Sequence, residues 1–503
     1  MNPAAETEFF ETVIAGVGFG GIAAAHDLLE SGRTDFVLLE KAPEAGGVWR
    51  DNTYPNAACD VPAHLYSFSF AQNSEWSCNY ASQWEILEYT NRVIDELGLR
   101  ERIRFEEALV RAQWISEKVV WRLQTSRGRV IECRYLISAL GTLNQPLIPD
   151  LPGLADYRGQ IIHTAEWLPD IDMTGKRVAV IGAGASAIQV VPHAVEQADS
   201  VLAVIRTAPH VMPKPEEFYD ETAKEHFRNH PEILQELRKE QYDYWNQSTH
   251  AQAVMDEEFL RRAETVWREH MESAVSDPRL REILTPDSRF GCRRPVVSNS
   301  FYPALADPKT TVIDAGIQRL TASGVVSETG EKFDADIVVL ATGFRATEML
   351  SHVEIIGAGG WPLTEEWQEG PEAYKGTMVK GFPNLFLVTG PNTQASGSLI
   401  GVIEAQTKYI TKCLDEAVRQ ERPVIEVTPQ AQATFNSGLE KMMERSVYIA
   451  GGCHSWYRLG GTGRVVTKWP GSLADFETEL EGVVLDDFTF SKASGRSLTM
   501  VSG

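Results

Sequence analysis

The chain has 503 residues, with 47 Lys and Arg against 70 Asp and Glu and a formal charge of −23. Hydrophobic residues make up 43% and charged residues 23%, which excludes a disordered, collagen-like or coiled-coil chain. The acidic balance repels phosphate backbones and anionic lipid, and no apolar run approaches the ~20 residues of a membrane helix, so neither nucleic acid nor membrane is expected as a partner.

The opening MNPAAETEFFE is acidic and lacks a basic start or apolar core, so a cytoplasmic location is expected. The cysteines, Cys59, Cys78, Cys133, Cys292, Cys413 and Cys453, are scattered without a Cys-x-x-Cys. That pattern predicts free thiols in a reducing compartment, with no zinc ribbon and no dithiol redox centre.

Gly16-x-Gly18-x-x-Gly21, which includes Phe19, follows the strand pattern TVIA and opens the helical stretch IAAAHDLLESG. Such glycines allow a tight turn, close approach of a pyrophosphate and close helix–strand packing, with the helix N-terminus facing the phosphates. The next strand, FVLLE, ends in Glu40, 24 residues after Gly16. A carboxylate there accepts from a ribose 2′-OH and repels a 2′-phosphate. Farther on, Gly182-x-Gly184-x-x-Ala187, which includes Ala185 and Ser186, follows VAVI and opens the helical stretch AIQVVPHAV. Its next strand, SVLAVIR, ends in Arg206 followed by Thr207, so a cation stands where the first unit has a carboxylate. The second nucleotide is therefore expected to carry a 2′-phosphate. FAD in the first site and NADPH in the second is the economical reading, because a flavin accepts the electron pair that NADPH delivers as hydride and then reacts with one-electron partners such as dioxygen. YLISALGTL (135–143) and DIVVLATGF (336–344) fit crossings between the two units.

Residues 214–288 carry apolar residues at three- and four-residue spacings among dense charge, which predicts amphipathic helices. The fold class expected is α/β, with two Rossmann-like dinucleotide-binding domains and a helical insertion in the second. The boundaries expected are 1–145 for the first part of the FAD domain, 146–380 for the NADP domain with its insertion at about 214–288, and 381–503 for the second part of the FAD domain. The tail after about residue 485 reads as small, polar and loosely held.

Further motifs carry a resemblance. Gly46-Gly47-Val48-Trp49, Tyr54-Pro55 and Asp60 form one set, and Tyr157-x-Gly159-x-x-x-His163-x-x-x-Trp167 forms another. Together with the two nucleotide motifs they resemble the Baeyer–Villiger monooxygenases over roughly residues 10–480. Departures are Asn56 where Gly or Met is usual, Tyr157 for phenylalanine, and a proline shifted to Pro169 behind Leu168. GCRRPVVSNSFY resembles the family segment with a basic pair, which implies Arg294 as active-site arginine and Arg293 where a lysine usually meets the NADP 2′-phosphate. GGCHSWYRLGGTGR resembles the segment whose tryptophan, here Trp456, contacts the nicotinamide ribose region. GPNT (390–393) and WPGS (469–472) resemble relatives of 4-hydroxyacetophenone monooxygenase.

The resemblance implies NADPH- and O2-dependent insertion of one oxygen next to a ketone carbonyl through a flavin C4a-peroxide, giving an ester or lactone. A developing oxyanion needs a fixed cation in a dry site, which suits Arg294, with Asp60 as its partner. The flavin set also takes Gly47, Val48, Trp49, Asp60, Tyr66, Val110 and Leu399. Trp49 and Tyr66 could equally be core, and His163 reads as a linker residue rather than a catalytic acid–base. Tyr242, Tyr244 and Trp245 are candidates for a pocket wall, although such a stripe on a helix is more often core. The partners expected are a small-molecule ketone and O2, in a monomer or homodimer. An N- or S-oxygenating flavin monooxygenase is the alternative, and a thioether giving sulfoxide without ester from a ketone would favour it. A pyridine-nucleotide disulfide reductase is disfavoured by the missing Cys-x-x-Cys.

Overall fold

The computed structural model describes residues 7–395 and 397–492. Two sheets organise it, one mixed and one all parallel. The first has eight strands, with Val130–Ser138 at its centre, parallel to both Glu8–Ala15 and Leu385–Leu387. Phe36–Leu39 and Ile103–Arg104 extend it beyond Glu8–Ala15. On the other side Val120–Thr125 and Leu109–Ile115 run antiparallel, and Glu354–Ile356 closes that edge. The chain thus re-enters the first sheet at Glu354, ahead of the expected boundary at 381. The second sheet is all parallel, in the order Thr310–Ile313, Ser200–Val204, Arg177–Ile181, Ile337–Leu340, Gln160–His163. Parallel strands are covered on both faces and so are built from continuous apolar runs; Phe36–Leu39 and Ile337–Leu340 are buried at every position.

Each sheet carries one glycine turn, and the two turns are built alike. Gly16 has φ +102°, and a Cβ there would lie 2.4 Å from the Ala139 carbonyl oxygen. Gly182 has φ +130°, and a Cβ there would lie 2.3 Å from the Ala341 carbonyl oxygen. Both positions therefore exclude a side chain twice, by conformation and by space. The opposing backbone comes in each case from the strand ends ISALGT and VLATGF. The helices that follow, Phe19–Glu30 and Ala185–Gln197, begin at Gly18 and Gly184 without a side-chain cap, so their first N–H groups stay free.

The helical insertion holds Glu221–Asn229, Pro231–Ala253, Glu257–Ala274 and Pro278–Ile283. Asp220, Asp256 and Asp277 accept from backbone N–H groups at the starts of three of them. The second helix is anchored on the first domain by Arg238, which donates to the carbonyls of His64, Leu65 and Ser67 at 3.2, 3.2 and 2.6 Å and to Glu404 at 3.3 Å. Of the expected loose tail, Phe488–Ser491 is a strand paired antiparallel with Val424–Val427, and residues beyond 492 lie outside the described residues. Among the described residues, no helix is long and apolar enough to cross a membrane.

Candidate active site

A cavity of about 1560 Å³ opens between the two sheets and the insertion. From the first glycine turn it takes Gly16, Gly18 and Phe19, with Glu40 at the end of the neighbouring strand. Glu40 is buried and accepts from the backbone N–H of Val17 and Ala42, both at 3.0 Å, and from Arg50 at 2.8 Å. These bonds fix its carboxylate at the mouth of the turn, where a ribose would lie. Gly21 sits one turn inside, where a Cβ would come 2.0 Å from the Gly16 carbonyl oxygen. Gly47 packs directly on Gly18, whose Cα a Gly47 Cβ would meet at 3.1 Å, and Val48 and Trp49 are on the cavity wall. Trp49 Nε1 donates to the Tyr66 hydroxyl at 3.1 Å with the rings edge-on, and both side chains are on the wall while packing against core. Burial pushes the Tyr66 phenol up. Leu399 is also on the wall, at the start of the helix Leu399–Arg419.

Val110 departs from the expectation. Its side chain is 47% exposed and turned outward, whereas Ala108 and Leu109 line the cavity. The strand starts at Leu109, and its alternation sends Val110 to the face opposite Leu109.

The second turn contributes Ala185 and Ser186 to the cavity wall, with Gly182 and Gly184 in the turn and Ala187 buried behind it. The two domains are stitched here. Ala58 N–H donates to Gln189 Oε1 at 3.0 Å, Gln189 returns a bond to the Ala58 carbonyl at 3.3 Å, and the Tyr54 hydroxyl bonds Ser186. Asn56, the departure from the resembled motif, has φ +62° and donates to the Gln189 carbonyl at 3.4 Å; Gly and Asn are the residues that enter this region most readily. Arg206 is exposed and Thr207 half-buried just past the strand Ser200–Val204, beside the turn rather than on the cavity wall. His163 ends the strand Gln160–His163, is buried, and accepts from Ala165 N–H at 3.1 Å; burial pushes it down.

At the centre stands an ion pair between residues 234 apart in sequence: Arg294 donates to Asp60 Oδ1 at 2.5 Å. Asp60 comes from the loop after Cys59 in the first domain. Arg294 comes from the segment leaving the insertion, which then pairs as Val296–Val297 with Val211–Met212. The Arg294 side chain is 47% exposed, and its accessible part faces the cavity, whereas Asp60 is 19% exposed. The Asp60 carboxylate pushes the guanidinium up still further, so Arg294 remains a fixed cation. Burial beside Asp60 pushes the Cys59 thiol up.

Arg293, on the alternate face of the same extended segment, is not on the wall. It pairs with Asp287 at 3.1 Å and donates to the His454 carbonyl at 2.9 Å. Trp456 lines the cavity with half its surface accessible. Of the helix aromatics, Tyr244 and Trp245 line the cavity, while Tyr242 turns away and donates to Glu477 at 2.6 Å.

Two features escaped sequence reasoning. Cys292 and Cys453 form a disulfide, with Cα atoms 6.0 Å apart, correcting the expectation of six free thiols; the other four cysteines are free and buried. Neither bonded cysteine lies on the cavity wall. Lys468, one residue ahead of the WPGS stretch, is buried on the wall.

The residues fit the two groups that the motifs imply. The Gly16 turn with Glu40 suits a dinucleotide with a free 2′-OH, as FAD has, and the Gly182 turn with Arg206 suits one with a 2′-phosphate, as NADP has. Fold and site together define a flavoprotein oxidoreductase with two dinucleotide-binding folds. A family model described as pyridine nucleotide-disulphide oxidoreductase matches residues 10–241. The chain is 39% identical over 483 residues to a Baeyer–Villiger monooxygenase of Streptomyces coelicolor, covering 96% of this chain and 92% of that one. It is 34% identical over 510 residues to a FAD-binding monooxygenase of Aspergillus niger, covering 96% and 82%. The structure of cyclohexanone monooxygenase from Rhodococcus sp. Phi1 bound to NADP+ superposes with a TM-score of 0.86 at 27% identity, covering 97% of this chain and 100% of that one. This chain belongs to the Baeyer–Villiger monooxygenase family.

Proposed function

We propose that the protein binds FAD at the Gly16 turn and NADPH at the Gly182 turn and oxygenates ketones in the cavity between them. The balance is ketone, O2, NADPH and a proton giving ester or lactone, NADP+ and water. The flavin, when bound, would supply a two-electron acceptor for the single hydride of NADPH and the means of activating dioxygen. The chain's own residues supply the rest. Glu40 accepts from the flavin-side ribose, and Arg206 pairs with the 2′-phosphate of the other nucleotide. Arg294 holds negative charge that develops on oxygen during insertion, and Asp60 positions the guanidinium without neutralising its donors on the cavity side. Arg293 braces the neighbouring backbone through Asp287 and His454.

The observation that carries this reading is the Arg294–Asp60 pair, assembled from both halves of the chain on the wall of a cavity shared by both glycine turns. The flavin-loaded protein is tested with NADPH and air against 2-heptanone and thioanisole. Ester from the ketone is expected; sulfoxide without ester would overturn the assignment in favour of S-oxygenation.

A further inference from the structure

Lys468 has no role in the chemistry above. It is 7% exposed and lies on the wall of the cavity that holds Arg294 and Asp60. Its Nζ stands 4.8 Å above the Tyr457 ring and 5.6 Å above the Tyr448 ring. Its backbone is fixed, because Asn392 donates to the Lys468 carbonyl at 2.9 Å and Gln394 pairs with Lys468 across a parallel bridge. Among the described residues no carboxylate lies within ion-pair distance of Nζ, and the nearby Asp60 is taken by Arg294. Two cations therefore face one carboxylate in this part of the wall, leaving one positive charge without a counterion. Aromatic faces hold an ammonium in place and do not neutralise it. A lysine removed from water without an anion is unfavourable in its charged form. Burial and the Arg294 charge accordingly push Lys468 down to about 7, with Asp60 opposing. An anionic ligand reaching Nζ would restore the charge balance.

We propose that Lys468 is a specificity-determining residue that selects ketones bearing a carboxylate, with the carboxylate on Nζ and the apolar skeleton against Trp456 and Tyr457. The proposal rests on the ketone-oxygenating reading and names the substrate class for that site. An anion at Nζ stabilises the charged lysine, so an oxo acid binds with proton uptake and more tightly as pH falls from 8 to 6. The charged and titratable groups facing Nζ are Arg294, Asp60, Tyr448 and Tyr457. The phosphates of NADPH are a second source of anion, and the experiment separates them.

The test compares the flavin-loaded wild type, Lys468→Met and Lys468→Arg on 6-oxoheptanoate, its methyl ester and 2-heptanone. Turnover is followed by product, and binding of 6-oxoheptanoate and of NADPH by calorimetry. The wild type is expected to prefer the acid to the ester. In Lys468→Met the acid-to-ester ratio of kcat/KM and the affinity for 6-oxoheptanoate should fall roughly ten- to a hundredfold, the worth of one charge-assisted contact. Lys468→Arg should recover most of the ratio, with the pH dependence of acid binding between 6 and 8 removed. An unchanged acid-to-ester ratio in Lys468→Met, or a loss confined to NADPH affinity, would overturn the proposal. Absence of ester from 2-heptanone with every protein would overturn the ketone-oxygenating reading instead, while the calorimetry would still report on Lys468.

Discussion

Removing the Asp60 carboxylate is the sharpest perturbation of the site. Arg294 donates to it at 2.5 Å, with the guanidinium 47% and the carboxylate 19% exposed. Breaking a fully buried pair costs roughly 3–5 kcal/mol, and an exposed pair is worth roughly 0.2–1 kcal/mol. A guanidinium half open to a cavity falls between, at roughly 1.5–3 kcal/mol, the range of a hydrogen bond to a charged group. That corresponds to roughly a 10- to 150-fold drop in the fraction of molecules with Arg294 in place. Asp60→Asn keeps an acceptor and loses only the charge, a difference of about 1–1.5 kcal/mol or roughly five- to tenfold. The expected order of kcat for ester formation from 2-heptanone is therefore wild type, then Asp60→Asn, then Asp60→Ala. FAD content, read from the bound flavin's absorbance, should stay constant across the three. Equal rates in all three proteins, or flavin loss in step with the rate, would refute the positioning role.

Other consequences can be measured directly. Arg206→Ala should lose roughly ten- to a hundredfold in affinity for NADPH with much less effect on NADH, and equal losses would show that Arg206 does not read the phosphate. Denatured without reductant, the protein should expose four reactive thiols, rising to six after reduction; six in both conditions would contradict the Cys292–Cys453 bond. His64 is buried with neither ring nitrogen bonded, and burial pushes it down to about 4. The unfolded chain binds this proton near pH 6.5 and the folded protein only near pH 4. Stability should therefore decline as pH falls through that window, by roughly 2–4 kcal/mol in full. His64→Leu should flatten this slope in denaturant titrations at pH 7, 6 and 5, and an unaltered slope would count against it.

The glycine turns were legible because so few residues satisfy Gly16 and Gly182, where positive φ and an opposing carbonyl act together. Glu40 and Arg206 were legible from their distance to those turns along a strand of fixed rise. The insertion announced itself by helical periodicity, and its helices run from Glu221 to Ile283. The Arg294–Asp60 pair is different in kind. Nothing local in either segment points to the other across 234 residues, and only the resemblance to a family brought them together. Val110 came with the resemblance alone, which carries no information on which face of a strand a side chain takes. Lys468 and the Cys292–Cys453 bond left no signal, because both depend on where the end of the chain folds back onto the insertion.

That covalent bond gears two parts of the machine together. One sulfur stands immediately before Arg293 and Arg294, and the other stands three residues before Trp456. The guanidinium and the indole are therefore tethered to one another through two short stretches of backbone and a single S–S link, so a displacement of either segment would be transmitted to the other.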